Sequence, residues 1–543
     1  MLLCTGSHGS LYVGGFKLSA LWYSSVPSFT SPSFNSCIVG FFARDYSLWL
    51  GWNNMRYIID AAFLNAKLLN RTLIVPSFVY ARACEHEPQM VNKGKAMNDD
   101  RRDGGPPEQQ MAWRIPLPMM LNITRMRESH PVILISDYLR LHNLSAELET
   151  GDGSWDRERY HANTNLHNMD EPRGSSLFVV ENDQYDLNGI VRVDYLPDDM
   201  RARGKWSTVN VTGDNTARGR WAMAERNDIS SRLSMDIRHS GTVIWNRALR
   251  RLKQSMAKDL FDLESDAGVV EALHHAGWEV VYTFEAVANA YLAKTVVEPI
   301  REAVPRTSLH PWAEEYKHIS ADVLLLAGET HGGRKPGSLL FTTPAAREEY
   351  QRMVLHELVP VDMLQDLADT LVERMFERTE DRMWMGAHMR RTDFMAGTSG
   401  SRFLPSSHLT RVKARLEQGR QELEQMDDVH LYEVPDVQPN IALFARDPPK
   451  QGDPFYVATD ERDPDVLQLF RDGGAILLSD ILVTDDYRAI GWPLMFTDVR
   501  AIVEQALLAR AACFCGTAGS SVSGGIVNMR AAHGADQRTT LFD

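Results

Sequence analysis

Cysteine is scarce in this 543-residue chain. Cys4, Cys37, Cys84, Cys513 and Cys515 are too few and too scattered for a disulfide scaffold. Cys513 and Cys515 stand two apart on an expected strand and point the same way, and no second pair exists to complete a zinc site. Long apolar runs are also missing. No stretch reaches the ~18–20 residues that a membrane helix needs. The uncharged run from Leu18 to Ala43 is punctuated by Ser24, Ser25, Pro27, Ser28 and Pro32. Positive charge is in deficit, with 58 Lys and Arg against 72 Asp and Glu and a net charge of −14. That argues against a protein that coats nucleic acid by bulk charge. No Gly-Lys-Ser/Thr is present, which excludes a Walker phosphate loop. What remains is an ordinary globular composition, 44% hydrophobic and 24% charged, which excludes a rod or a mostly disordered chain.

Residues 1–45 read as a leader, disordered or targeting, with Lys17 as a faint charged start. Ile58, Ile59, Ala62, Phe63, Ala66 and Leu69 recur at helical spacing, and Thr72–Val75 follows as a short buried strand closed by Pro76. Further strands are expected at 132–136, 177–181, 242–246, 278–283, 322–327 and 339–342, with helices at 249–263 and 285–300. The C-terminal third gives helices at 361–377, 408–425, 464–471 and 497–511, and strands at 383–388, 455–459, 475–479 and 512–515. A last turn and helix end it. Alternating strands and helices predict parallel sheets with covered faces. Residues 46–345 are assigned to one doubly wound domain with insertions and 346–543 to a second. Residues 200–258 carry 13 basic against 4 acidic side chains. They read as a solvated insertion more readily than as an anion-binding face. Sequons at Asn70, Asn122, Asn143 and Asn210 are a weak pointer to a secreted chain.

Ligands of open α/β sheets bind at the carboxyl ends of strands. One strand runs into His388, Met389, Arg390, Arg391, Thr392 and Asp393. Alternation sends His388 and Arg390 one way and Arg391 the other, so one Arg faces a ligand while its neighbour pairs with Asp393 or the domain surface. Arg suits bidentate phosphate contacts. A second strand ends in Cys515-Gly-Thr-Ala-Gly-Ser-Ser-Val-Ser523, a small and hydroxyl-rich turn opening a helix, whose free N–H groups bind phosphate. A third places Asp460 where it can hold a ribose hydroxyl or a base N–H, or else cap a helix. Together the three form a nucleotide-diphosphate pocket. Gly51-Trp-Asn-Asn-Met-Arg56 is a Gly-Asn loop opening a helix that faces the same cleft, or else an Asn cap with a surface Arg. Asp463-Pro464-Asp465 is read as a helix start, not a metal site.

Taken in order, Gly51–Arg56, Leu69-Asn-Arg-Thr-Leu-Ile-Val-Pro76, His388–Asp393, Ala458–Glu461 and Cys515–Ser523 resemble the GDP-fucose protein O-fucosyltransferase family. The resemblance covers roughly residues 49–83 and 380–535. It implies an α/β fold of the GT-B kind, two Rossmann-like domains facing across a cleft. It implies inverting transfer of fucose from GDP-fucose to a hydroxyl, without an obligatory metal or other cofactor. Arg390 matches the family's key Arg, expected to stabilise the leaving GDP. His388, Arg391, Asp393, Asp460, Ser520, Ser521, Ser523, Gly51, Asn53, Asn54 and Arg56 match its donor-binding positions. The acceptor implied is a protein Ser/Thr. A glycan acceptor, or a non-catalytic nucleotide-sugar-binding relative, is the alternative. Nucleic acid is not an expected partner, no membrane anchor is visible, and the ER or Golgi lumen is the expected location. Two departures are mild, Thr392 where Gly is frequent and Val522 where an aromatic is. A third matters more. Some members carry a Glu in the first glycine loop, Leu50-Gly51-Trp52-Asn53 has none, and Asp45 is the nearest acid, so the general base is unassigned.

Overall fold

The structure is a computed structural model describing residues 12–13, 16–17, 40–48, 50–82, 112–161, 175–185, 189–202, 228–238, 240–284, 295–328, 339–391, 404–441 and 445–543. The chain divides into Met1–Ile38 and Val39–Asp543. In the first unit Tyr12–Val13 pairs antiparallel with Phe16–Lys17. Two five-stranded sheets, each parallel throughout, organise the second. Among the described residues no helix is long and apolar enough to cross a membrane.

The first sheet has the order Val132–Leu134, Thr72–Val75, Phe41–Arg44, Val323–Leu326, Leu177–Val180. Its middle strand, Phe41–Arg44, lies within the stretch assigned to the leader, and the core excludes that assignment for these residues. Phe42 and Ala43 are fully buried, and strand pairs flank both sides. Helix Trp52–Leu69 crosses over to Thr72–Val75 and ends on Asn70, whose φ of 53° is the left-handed conformation that closes many helices. The motif residue Arg71 is fully buried and donates to the carbonyls of Phe41, Ala321 and Ile319. It therefore ties three segments together.

The second sheet has the order Ala475–Ile476, Phe455–Thr459, Met385–Met389, Cys513–Gly516, Thr540–Phe542. Period-two alternation sorts both sheets between cores. Phe42, Leu73, Leu324, Tyr456 and Phe514 share one apolar cluster that runs from sheet to sheet. Ala43, Ile74 and Leu325 face a second cluster, and Met385, Val457, Cys513 and Cys515 a third under helix Pro405–Glu424. Burial pushes both thiols up to about 12, as expected for inert packing groups.

Elsewhere the sequence expectations need correction. Val243–Ile244 and Trp278–Thr283 join Ile300–Pro305 in a separate antiparallel sheet. Residue 300 belongs to that strand and not to a helix, while 285–294 lie outside the described residues. Residues 339–342 make only isolated bridges, Leu340 to Val193 and Phe341 to Tyr282. The expected helix 249–263 is broken into Trp245–Lys253 and Ala257–Leu260. The edge strand Thr540–Phe542 had no expected counterpart. In the basic stretch Arg201, Arg232, Arg238, Arg251 and Lys253 each pair with an acid. Residues 203–227 of it lie outside the described residues.

Candidate active site

The middle strand of the second sheet, Met385–Met389, is buried along its whole length. Leu508 packs closely over Gly386, where a Cβ would sit 2.4 Å from Leu508 Cδ2 and force that side chain to move. At the strand's carboxyl end the ladder stops, and side chains of the flanking strand tips take over its polar groups. Thr517 Oγ1 donates to the His388 carbonyl at 2.8 Å and accepts the Arg390 N–H at 3.2 Å. Thr459 Oγ1 donates to the Met389 carbonyl at 2.8 Å, and Asp460 Oδ1 accepts the Arg391 N–H at 2.6 Å. The tip is thus held from both sides.

Its side chains then part. His388 Nδ1 lies 2.9 Å from Ser523 Oγ. Arg391 is buried, and its Nε donates to Glu461 Oε2 at 3.0 Å. Its Nε therefore braces the strand tip against Glu461. Its acidic partner is Glu461. Asp393 lies outside the described residues. Arg390 keeps 26% of its side chain exposed, with Nε 3.8 Å from Asp460 Oδ2. Of the two Arg, this is the one that reaches solvent. Asp460 holds the Arg pair, while the acid that caps helix Pro464–Asp472 is Asp463, accepting from the Asp465 N–H. The D-x-D is therefore a helix start.

Burial pulls the His388 imidazole down from 6.5 to about 4; Asp460 opposes this, and Arg390 and His408 reinforce it. The folded chain then binds fewer protons here than the unfolded chain. The neutral ring's contribution to stability is complete above pH 6.5 and is lost as pH falls toward about 4. The expected slope is ~1.4 kcal/mol per pH unit within that window. Urea unfolding at several pH values should show a slope smaller by that amount in His388→Gln. The same pH dependence in both proteins would contradict the assignment.

Next to this tip, Cys513–Gly516 runs into the turn Thr517–Ser520, where Gly519 has a φ of +80° that favours glycine. Helix Ser521–Ala532 begins there. Its N-cap, Ser520, makes no side-chain cap. The Ser520 hydroxyl is buried and has no hydrogen-bond partner among the described residues. Ser521 presents its carbonyl to Tyr57 Oη at 3.0 Å.

The N-terminal motif meets the same helix. Gly51 is the N-cap of Trp52–Leu69, again without a side-chain cap. Asn53 Oδ1 accepts from Gln505 Nε2 at 2.9 Å, and Gln505 also donates to the Val522 carbonyl at 3.0 Å. Asn54 is half-buried in the first helical turn. Arg56 departs from expectation. Its Nη2 donates to the carbonyls of Val354 and Leu358 at 3.3 and 3.0 Å, and Asp60 lies 3.9 Å from Nε. It stands one turn beyond Trp52 on the same side of the helix, and its guanidinium is taken up by the carbonyls of residues 353–358 packed there. Asp45 is likewise structural, accepting from the N–H groups of Trp155 and Gly328 at 2.8 and 2.6 Å.

Two helix N-termini therefore lie side by side, one from each half of the chain, bridged by Gln505 and Tyr57; neither is capped by its own N-cap residue, and Asp498 Oδ1 accepts from the Trp52 N–H of the first at 3.4 Å. Each presents the positive end of a dipole. Arg390 stands on the adjoining strand. Such a constellation suits an anionic ligand of diphosphate type. Gln505 and Tyr57 escaped the sequence reading. The one visible signal was a Gln interrupting the apolar face of the helix expected at 497–511.

A model of the GDP-fucose protein O-fucosyltransferase family matches residues 50–533. No curated protein matches the chain. Among solved structures, POFUT1 in complex with GDP-fucose is similar at 10% identity, covering 94% of this chain and 98% of that one, with a TM-score of 0.33. POFUT1 in complex with GDP gives 10% identity, 93% and 99% coverage, and a TM-score of 0.32. At those scores the structural likeness carries none of the assignment, which rests on the family match. That match takes in the glycine loop at Gly51, the Arg390 strand tip and the Ser520 turn, and the chain belongs to the GDP-fucose protein O-fucosyltransferase family and is a fucosyltransferase.

Proposed function

We propose that the chain transfers fucose from GDP-fucose to a Ser or Thr hydroxyl of a protein, with inversion at the anomeric carbon. The diphosphate sits where the helix starts at Gly51 and Ser520 adjoin, and Arg390 closes the site. The observation that carries this reading is the Ser520 hydroxyl, a buried N-cap that caps nothing, beside a partly exposed Arg. A buried hydroxyl without a partner costs about 1–3 kcal/mol, which a bound phosphate oxygen would recover. Asp460 serves the nucleoside side and also aligns Arg390. As the glycosidic bond breaks, charge develops on the departing diphosphate, and a fixed Arg with aligned N–H groups stabilises it without reorganisation. Those groups supply the positive charge, so no divalent metal is needed. Residues 346–543 form the donor side of a GT-B-like cleft, and the preceding half, with Phe41–Arg44 included, forms the acceptor side. The reaction belongs in the lumen of the secretory pathway.

Calorimetric titration with GDP, with and without Mg²⁺ and with ADP and UDP as controls, tests the donor site. Selective GDP binding that ignores the metal is expected. A folded sample that binds no GDP overturns the reading. Binding without release of GDP from GDP-fucose would make the chain a non-catalytic relative.

A further inference from the structure

We propose that Gln505 is a positioning residue of the donor site, fixing which end of the Asn53 amide meets the diphosphate. The inference rests on the reading above. Gln505 lies on helix Thr497–Ala509, where it is 1% exposed and is the only polar residue among those buried. A buried amide has to find partners for its polar atoms. Its two contacts, Asn53 and Val522, belong to the two helix starts that form the site.

Those contacts leave the Gln505 amide one orientation. Val522 offers it a backbone carbonyl, which can only accept, at 3.0 Å. The atom facing that carbonyl is therefore the nitrogen Nε2 and not the oxygen. The same Nε2 lies 2.9 Å from Asn53 and donates its second N–H there. A nitrogen that donates in both directions needs an acceptor on Asn53, so Asn53 turns Oδ1 toward Gln505 and Nδ2 away from it.

The consequence falls on the ligand. Asn53 is the second residue of helix Trp52–Leu69 and is half-buried at its start. Its Nδ2 makes no hydrogen bond to any described residue. With Oδ1 held by Gln505, what Asn53 presents to an anion is a donor. A reversed amide would set an oxygen against phosphate oxygens. The Val522 carbonyl, a backbone group that cannot flip, thus sets the Gln505 amide, and the Gln505 amide sets Asn53.

Gly525, on helix Ser521–Ala532, makes room for the amide, because a Cβ there would sit 2.4 Å from Gln505 Nε2. Alanine at that position would push the amide off its two partners. Removing the amide and crowding it are therefore two separate ways to release Asn53.

The test compares Gln505→Met, Gly525→Ala and Asn53→Ala, and each of the first two combined with Asn53→Ala. GDP binding is measured by calorimetry, and release of GDP from GDP-fucose into water gives KM and kcat. Each single variant should bind GDP about tenfold more weakly, the lower end for a hydrogen bond to a charged group. Gln505→Met and Gly525→Ala should raise KM to match, with kcat within about twofold. In the Asn53→Ala background neither should weaken binding further, because the amide they release is no longer there. A residue needed for packing alone would instead lower kcat, and its loss would add to that of Asn53→Ala. Losses that add, unchanged GDP affinity in any single variant, or a fall in kcat at constant KM each overturns the assignment. An unsubstituted chain that binds no GDP overturns the donor site itself, before any substitution is made.

Discussion

Arg390→Ala is expected to lower turnover ~10³-fold, near the upper end for removal of one charge-stabilising donor, while leaving the fold intact. The two halves of that expectation have different sources. The loss of rate follows from where charge appears, on a diphosphate leaving beside the strand tip. The intact fold follows from how Arg390 is held. Its backbone N–H is fixed by Thr517, and its side chain is partly exposed. Its neighbour behaves differently. Arg391 is buried against Glu461, so Arg391→Ala leaves that carboxylate without its partner and should register in stability as well. Release of GDP from GDP-fucose and thermal unfolding, measured on both variants, separate the roles. Unchanged turnover in Arg390→Ala would sink the donor-site assignment.

Glu315→Leu is expected to cost ~3–5 kcal/mol, the range for breaking a buried ion pair by removing one partner. Arg192 Nη1 and Glu315 Oε2 lie 2.6 Å apart with both side chains 1% exposed. Arg192 stands on strand Val191–Val193, paired with Leu309–Pro311, and Glu315 on the short helix that follows the latter. Burial is the largest influence and pushes the guanidinium's pKa down; Glu315, Tyr316 and Tyr185 together outweigh it and hold the pKa above its ordinary value. The carbonyls of Gln184 and Tyr185 accept from the same guanidinium, and His310 Nδ1 lies 2.9 Å from the other Glu315 oxygen. Leucine in place of Glu315 strands a buried charge. Against a total stability of about 5–15 kcal/mol that is a large fraction. Urea unfolding measures it, and a loss below ~1 kcal/mol would mean that water reaches Arg192. Replacing both partners, Arg192→Met with Glu315→Leu, should recover most of the loss, because no charge is then left buried.

How far each feature was legible follows from the range of the interactions that make it. Phe455–Thr459 and the Cys513 strand were readable because central parallel strands are buried on both faces and stand out as short apolar runs. Helix Trp52–Leu69 was readable because its large apolar residues recur at helical spacing along its length. Phe41–Arg44 was not, since Ser- and Pro-rich residues precede it and only its neighbours in space mark it as a sheet centre. Ile300–Pro305 pairs antiparallel with Trp278–Thr283, a choice of partner that no local pattern encodes. Thr540–Phe542 is an edge strand of three residues, too short for alternation to register.

The candidate site divides the same way. Sequence alone determined which strand tips carry Arg, Asp and Ser, because residue type and the point where an apolar run stops are both local. Tertiary structure decided what each of those side chains does. Pairing with Glu461 commits Arg391 and leaves Arg390 exposed. Packing of residues 353–358 against helix Trp52–Leu69 commits Arg56 to the carbonyls of Val354 and Leu358. Gln505 and Asp498 reach the Gly51 loop from more than 440 residues away. Hydrogen bonds and ion pairs act over about 3 Å. Which groups come that close is settled by packing of the two sheets against their shared core, and not by position along the chain.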